Sequence, residues 1–180
     1  MVIHFLSTNG RHRLRAIAVT VLISLAPALA AFWPLDALQI NLAMPETSDE
    51  AHVLHVPVLL GQPVRNTIIH SVQLTPVIDT YHIQEGSIWA WEERIMSHNA
   101  GLPSLKPERG RFLYDSPWMI VQGGGQSWKT LHYRVGTETL GKNELCIFPR
   151  PCRELWRELP GKQIVFQVVP SRLCHFVFQM

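Results

Sequence analysis

The sequence predicts an all-β domain, a small antiparallel β-sandwich or partly open barrel, placed after an N-terminal signal or anchor segment. Its apolar residues come in strand-length runs separated by turn signals such as Gly61-Gln62-Pro63, Thr75-Pro76, Glu85-Gly86 and Gly123-Gly124-Gly125. One segment alone, residues 152–159, reads as a helical turn, and Pro160-Gly161 ends it. A hydrophobic fraction of 47% in 180 residues is enough for the core of one domain once a leader is set aside. Short strands broken at this spacing favour a sandwich or barrel.

The leader occupies residues 1–35. Arg11, Arg13 and Arg15 form a basic flank, and residues 16–35 carry no charge. Pro27 breaks a helix just before Ala28-Leu29-Ala30, a small-x-small pattern that suits cleavage of a secretory signal. The other reading is a retained anchor, since roughly 20 apolar residues span a bilayer; Phe32 and Trp33 would then sit at the far interface. Under both readings the arginines stay in the cytoplasm and the rest of the chain is exported to the periplasm. No cysteine closely follows Ala30, which argues against a lipoprotein anchor. Residues 36–50 read as a polar tether, and residues 51–180 as the β-rich domain.

The strands are expected in this order. Residues 51–60 are rich in Val and Leu and stop at Gly61. Residues 64–72 alternate, with Ile68 and His70 on one face and Thr67, Ile69 and Ser71 on the other. The Thr75-Pro76 turn leads into 77–83, and Glu85-Gly86 turns the chain into 87–94. Residues 111–114 and 118–122 follow, then the Gly123–Gly125 loop or bulge. Residues 129–135 place Leu131, Tyr133 and Val135 on one face. Residues 144–148, 163–169 and 173–178 complete the pattern.

Charge and cysteines exclude several function classes. The formal net charge is +2, yet outside the leader the chain holds 13 basic and 14 acidic residues. No basic stripe exists to neutralise phosphates, so nucleic acid is not an expected partner. Three cysteines follow the leader, and an oxidising compartment permits a bridge. Cys146–Cys152 is the nearest closure, around a short Pro-containing loop, while strand geometry leaves Cys146–Cys174 open. No Cys-x-x-Cys pair is present, and the histidines lack ligand spacing, His52 and His55 pointing to opposite faces of a strand. Neither a metal nor an organic cofactor is expected.

The chemistry-bearing residues concentrate around one turn. His70, Ser71, Thr75, Asp79 and Tyr81 flank Thr75-Pro76, and a hairpin there brings His70 near Tyr81 and close to Asp79. Such a group can bind a polar ligand, let the carboxylate orient the imidazole, or fix the hairpin by hydrogen bonds. A serine hydrolase fits poorly, because His70 and Ser71 are adjacent on a strand and no Gly-x-Ser-x-Gly elbow exists. Gly123–Ser127 lacks the Gly-Lys-Ser/Thr ending of a phosphate loop. Trp89, Trp91 and Glu93 are expected on one strand face, with Ile88, Ala90 and Glu92 opposite, which suggests a core on one side and a ligand or partner on the other. Ala100-Gly101-Leu102-Pro103 supplies a turn that can carry backbone amides to a ligand.

His70-Ser71-Val72 with Thr75-Pro76-Val77, Asp79 and Tyr81, then Glu92-Glu93 and Ala100-Gly101-Leu102-Pro103, resembles domain of unknown function family 1850 over about residues 50–170. Two departures mark this chain. Asp79 stands where the family more often has glutamate, and Ser97-His98-Asn99 replaces an aromatic-Gly pair ahead of Ala100. The resemblance implies a small exported, often membrane-tethered protein that accompanies a TAXI-type tripartite ATP-independent periplasmic (TRAP) transporter. Its expected partners are the permease or binding protein of that transporter and a small organic acid. The expected binding surface is His70, Ser71, Thr75, Asp79, Tyr81, Glu93, Gly101, Leu102 and Pro103. A small periplasmic hydrolase using His70 and Asp79, or a structural envelope protein, are the alternatives.

Overall fold

A computed structural model of the chain describes residues 19–20, 32–44, 52–58, 61–97, 106–172 and 174–177. In them lie eleven strands: β1 (Pro34–Leu42), β2 (His52–Val58), β3 (Pro63–Ile69), β4 (Pro76–Gln84), β5 (Ser87–Ile95), β6 (Gly110–Asp115), β7 (Trp118–Gly123), β8 (Ser127–Trp128), β9 (Thr130–Arg134), β10 (Asn143–Ile147) and β11 (Gln163–Arg172). Two short helical turns join them, α1 (Leu155–Glu158) and α2 (Cys174–Val177). The strands form an all-β sandwich of two antiparallel sheets. The smaller has the order β2-β1-β11-β9, and the larger β10-β3-β4-β5-β7-β6 with β8 paired to β5.

The described residues fall into two units, Asp36–Pro170 and Met1–Leu35 with Ser171–Met180. In the second, the Arg172 guanidinium lies 6.0 Å from the centroid of the Phe32 ring, Phe176 is buried, and Cys174 is a free thiol. No helix among the described residues is long and apolar enough to cross a membrane. The apolar run on which the export reading rests lies mostly outside them.

Alternation builds the core of Asp36–Pro170. Leu38 and Ile40 of β1, Val56 and Val58 of β2, and Ile164 and Phe166 of β11 meet Val64, Ile83, Ile88, Leu145 and Ile147 from the larger sheet. Each such side chain, fully buried, contributes on the order of 1.5–3 kcal/mol. Tyr133 packs edge-on against Phe166, their ring centroids 6.3 Å apart. A smaller cluster of Val77, Ile95 and Met119, with Ile68 and Phe112 against it, lies apart on the larger sheet.

Three expectations are corrected. Residues 36–42, read as tether, belong to β1, because Leu38, Ile40 and Leu42 alternate with Gln39 and Asn41 and fill the core. The strand expected over 64–72 stops at Ile69, where the chain enters a turn. Residues 174–177, expected in a strand, form a helical turn. Residues 45–50 and 98–105 lie outside the described residues.

Cys146 and Cys152 are joined by a disulfide that closes the loop between β10 and α1. The same loop is held by an isolated bridge in which Leu145 and Arg153 exchange backbone hydrogen bonds of 2.8 and 2.9 Å. Replacing both bonded cysteines by serine should cost about 2 kcal/mol, the loop entropy that the cross-link removes from the unfolded chain. Urea melts of the oxidised protein and the double variant check this.

Candidate functional site

The larger sheet carries polar residues where its inner face should be apolar. On β4 the odd-numbered positions face inward, so that Val77 and Ile83 are buried with Asp79 and Tyr81 between them. Val77 belongs to the small cluster and Ile83 to the main core. Asp79 and Tyr81 therefore occupy the gap between two apolar clusters.

A bulge in β5 completes the group. Ile88 pairs with Ile83 and Ala90 with Tyr81, but Glu92 then opposes Thr80 and Glu93 opposes Asp79. Trp91 is the extra residue. The insertion reverses the alternation, bringing Glu93 onto the inner face beside Asp79 and turning Glu92 outward. Outside, Glu92 accepts hydrogen bonds from Arg94 Nε and Gln122 Nε2, each at 2.5 Å. The expected single face of Trp89, Trp91 and Glu93 is thus broken at Trp91. Trp89 instead donates its indole N–H to the Gln84 carbonyl, and Trp91 stays half exposed, tilted against His82 with ring centroids 5.5 Å apart.

The electrostatics follow from this placement. Burial pushes the Asp79 carboxyl up to about 6, although the Tyr81 hydroxyl, which donates to it, pulls the other way. Burial and the nearby Asp79 charge push Glu93 up to about 7. Burial, then the Asp79 charge, raise the Tyr81 phenol, and burial pushes Tyr133 up to about 12. Glu92 differs: burial raises it, but the hydrogen bonds from Arg94 and Gln122 outweigh burial and leave it below the usual range. Asn66, the cross-strand partner of Asp79, is 2% exposed, and its Oδ1 has no hydrogen-bond partner. Its amide lies near enough to the Tyr133 hydroxyl to favour the ionised phenol, yet that hydroxyl meets no partner of good geometry.

Asp79, Tyr81 and Glu93 open into a cleft of about 460 Å³, walled by Trp91, Trp128, Glu108 and the Gly123-Gly124 backbone. The β6–β7 ladder closes tightly beside it, since a Cβ on Gly110 would fall 2.2 Å from the Gln122 carbonyl oxygen.

His70 is elsewhere. The sequence placed it near Tyr81, but Tyr81 pairs with Val64 and Asp79 with Asn66, several residues back along β3. The connection from His70 to Thr75 is a wide turn in which the His70 N–H donates to the Thr75 carbonyl and the Leu74 N–H to the His70 carbonyl. His70 Nδ1 accepts from the N–H groups of Val72 and Gln73. The imidazole closes its own turn and cannot reach the carboxylates. Thr75 Oγ1 is buried without a partner. His70 and Ser71 instead line a groove of about 530 Å³ with Arg134, Thr137, Gly136 and Gly141. Among the described residues, no carboxylate lines this groove. A hydrolase working through His70 and Asp79 needs both in one pocket, and the two line different ones. Gly101, Leu102 and Pro103 lie outside the described residues.

Among the described residues, Glu144, Cys146 and Cys152 group closely enough to hold a metal ion. Their disulfide leaves no thiolate to serve as ligand.

Sequence reasoning missed Asn66, Trp128, Tyr133 and Arg134 as site residues. Asn66 carried a signal, a polar residue at an inward position between Val64 and Ile68. Arg134 carried none, because it is one more exposed charge at a strand end.

Residues 67–155 match the model of the family described as Domain of unknown function (DUF1850). The match bears out the family resemblance over that segment, which contains His70, Ser71, Asp79, Tyr81, Glu93 and Arg134. No curated protein and no solved structure matches the chain.

Proposed function

We propose that this is an exported accessory protein of a TAXI-type TRAP transporter, and that it binds a small organic acid in the groove between His70 and Arg134. The observation that carries the reading is the charge of that groove, which offers an arginine, an imidazole and the hydroxyls of Ser71 and Thr137 and, among the described residues, no carboxylate. A guanidinium presents paired N–H donors that match a carboxylate. Because His70 Nδ1 accepts backbone hydrogen bonds, the neutral ring carries its proton on Nε2 and keeps one donor. The turn that positions His70 also holds Val72 and Leu74 out to solvent, apolar contacts for a permease or binding protein. Export to the periplasm agrees with the basic flank and apolar run of the leader and with a disulfide at Cys146–Cys152. The leader either tethers the protein to the inner membrane or is removed.

Calorimetric titration of the full-length chain, in an uncharged detergent, with small mono-, di- and keto-carboxylates tests the reading. Saturable binding of at least one is expected. Arg134→Ala should weaken it tenfold or more, the cost of removing a charged hydrogen-bonding partner. His70→Ala should weaken it less and also lower the melting temperature, since it unties the turn. No binding by any carboxylate, or binding indifferent to Arg134→Ala, would remove the basis for the proposal.

A further inference from the structure

We infer that the seam of the sandwich beside the Cys146–Cys152 loop is a second binding site, for a carboxylate carried on a short alkyl chain. Here an edge strand of the smaller sheet, β2, meets an edge strand of the larger, β10. Leu54 of β2 and Leu145 and Ile147 of β10 line a pocket of about 230 Å³, and Arg150, Pro151 and Arg153 complete its wall. Alternation turns all three strand residues inward. Leu145 and Ile147 are buried members of the main core and Leu54 packs against it, so the pocket is an aliphatic recess in that core.

The two arginines of the wall differ. Arg153 is engaged within the protein, its Nη1 donating to the Val53 carbonyl at 3.1 Å and its Nε to the Glu158 carboxylate at 3.0 Å. Arg150, exposed at the rim, has no ion-pair partner among the described residues, and no carboxylate among them lines the pocket. Its backbone is held in place, because the disulfide closes the loop and the Arg150 N–H donates to the Ile147 carbonyl at 2.9 Å. The recess and the rim specify opposite ends of one ligand. Aliphatic walls favour a methylene chain and penalise polar groups, which find no hydrogen-bonding partner there. An unmatched guanidinium favours a carboxylate, to which it donates two parallel hydrogen bonds. Volume sets the length: a cavity of about 150 Å³ holds benzene, so one of about 230 Å³ takes a chain of roughly six to nine carbons. The pocket shares no residue with the His70–Arg134 groove, so either can fail without the other.

The test is calorimetric titration with hexanoate, and in parallel with 1-hexanol and butanoate. The protein is the full-length chain carrying Arg134→Ala, which disables the other groove, held in discs of uncharged lipid with empty discs as the blank. Hexanoate should bind saturably, hexanol at least tenfold more weakly for want of the charge, and butanoate several-fold more weakly for want of two methylenes. Adding Arg150→Gln should weaken hexanoate at least tenfold and leave hexanol unchanged. Leu54→Trp, which fills the recess, should abolish binding of both. Should Leu54→Trp not fold, the comparison of hexanoate with butanoate carries the test of the recess. Failure of hexanoate to bind overturns the inference. So does hexanol that binds as tightly as hexanoate, butanoate that equals hexanoate, or hexanoate binding that survives Arg150→Gln.

Discussion

Asp79→Asn should melt about 5 °C higher than the unaltered protein at pH 8 and lose part of the dependence of melting temperature on pH between 5 and 8, the buried Glu93 keeping the rest. The carboxyl of Asp79 is raised from an ordinary 3.8 to about 6, and that of Glu93 from 4.5 to about 7. An acid with a raised value in the folded state holds its proton more tightly there than in the unfolded chain. Its stabilising contribution is therefore full below about pH 4 and is lost as pH rises from there to about 6 for Asp79 and about 7 for Glu93. Tyr81 and Tyr133, which face the pair, are raised as well and stay neutral at pH 8. The unaltered protein should thus grow less stable from pH 5 to 8, Asp79 alone accounting for about 1 kcal/mol over that window. Asparagine removes that charge and still accepts from the Tyr81 hydroxyl. Thermal melts at pH 5, 6, 7 and 8 decide the matter. Stability that rises over this window, or a variant that melts lower at pH 8, would show that the pair is ionised at little cost.

Gly136→Ala should be among the most damaging substitutions in the domain, with a loss of about 3 kcal/mol. A Cβ at Gly136 would fall 1.8 Å from the Gly141 carbonyl oxygen and 2.8 Å from that of Leu140. Both obstacles are backbone, so no side chain can swing away. The turn has little freedom to open, because the Gly136 N–H donates to Asn143 Oδ1, the Thr137 N–H to the Leu140 carbonyl, and the Gly161 N–H to the Gly136 carbonyl. Asn143 is itself buried and anchors β10. Gly141→Ala makes the contrast, since its added Cβ meets nothing closer than 3.8 Å and the cost is the left-handed φ of 68°, on the order of 1 kcal/mol. Chemical denaturation of both variants should show Gly136→Ala losing well over twice as much.

The sandwich was legible in the sequence because period-two alternation and Gly/Pro breaks are local signals. β3 to β7 lie close to the runs read from composition, and even the short helical turn α1 falls where Pro160-Gly161 announced an end. β1 was missed although Leu38, Ile40 and Leu42 alternate, because the segment joins a continuous apolar leader that hides where alternation starts. The candidate site was legible as a set of residues but not as an arrangement. Period-two counting from Trp89 pairs Glu93 with Trp91, and the bulge at Trp91 reverses that order. His70 looked like a strand residue because Ile68-Ile69 runs straight into it, whereas the turn hydrogen bonds to its carbonyl, N–H and Nδ1 end the strand. Arg134 and Gly136 enter the groove beside His70 from 64 or more residues away along the chain. Such a contact is set by how the sheets pack, and no short-range pattern encodes it.

On the proposed reading, the protein supports uptake of an organic acid through its His70–Arg134 groove. The most direct measurement is uptake of labelled carboxylates by cells that carry the TRAP transporter, with this protein deleted and then restored as wild type or as Arg134→Ala of unchanged melting temperature. Deletion is expected to lower uptake, the wild-type chain to restore it, and Arg134→Ala to fail to restore it. Uptake that is equal with and without the protein, or fully restored by Arg134→Ala, would contradict it.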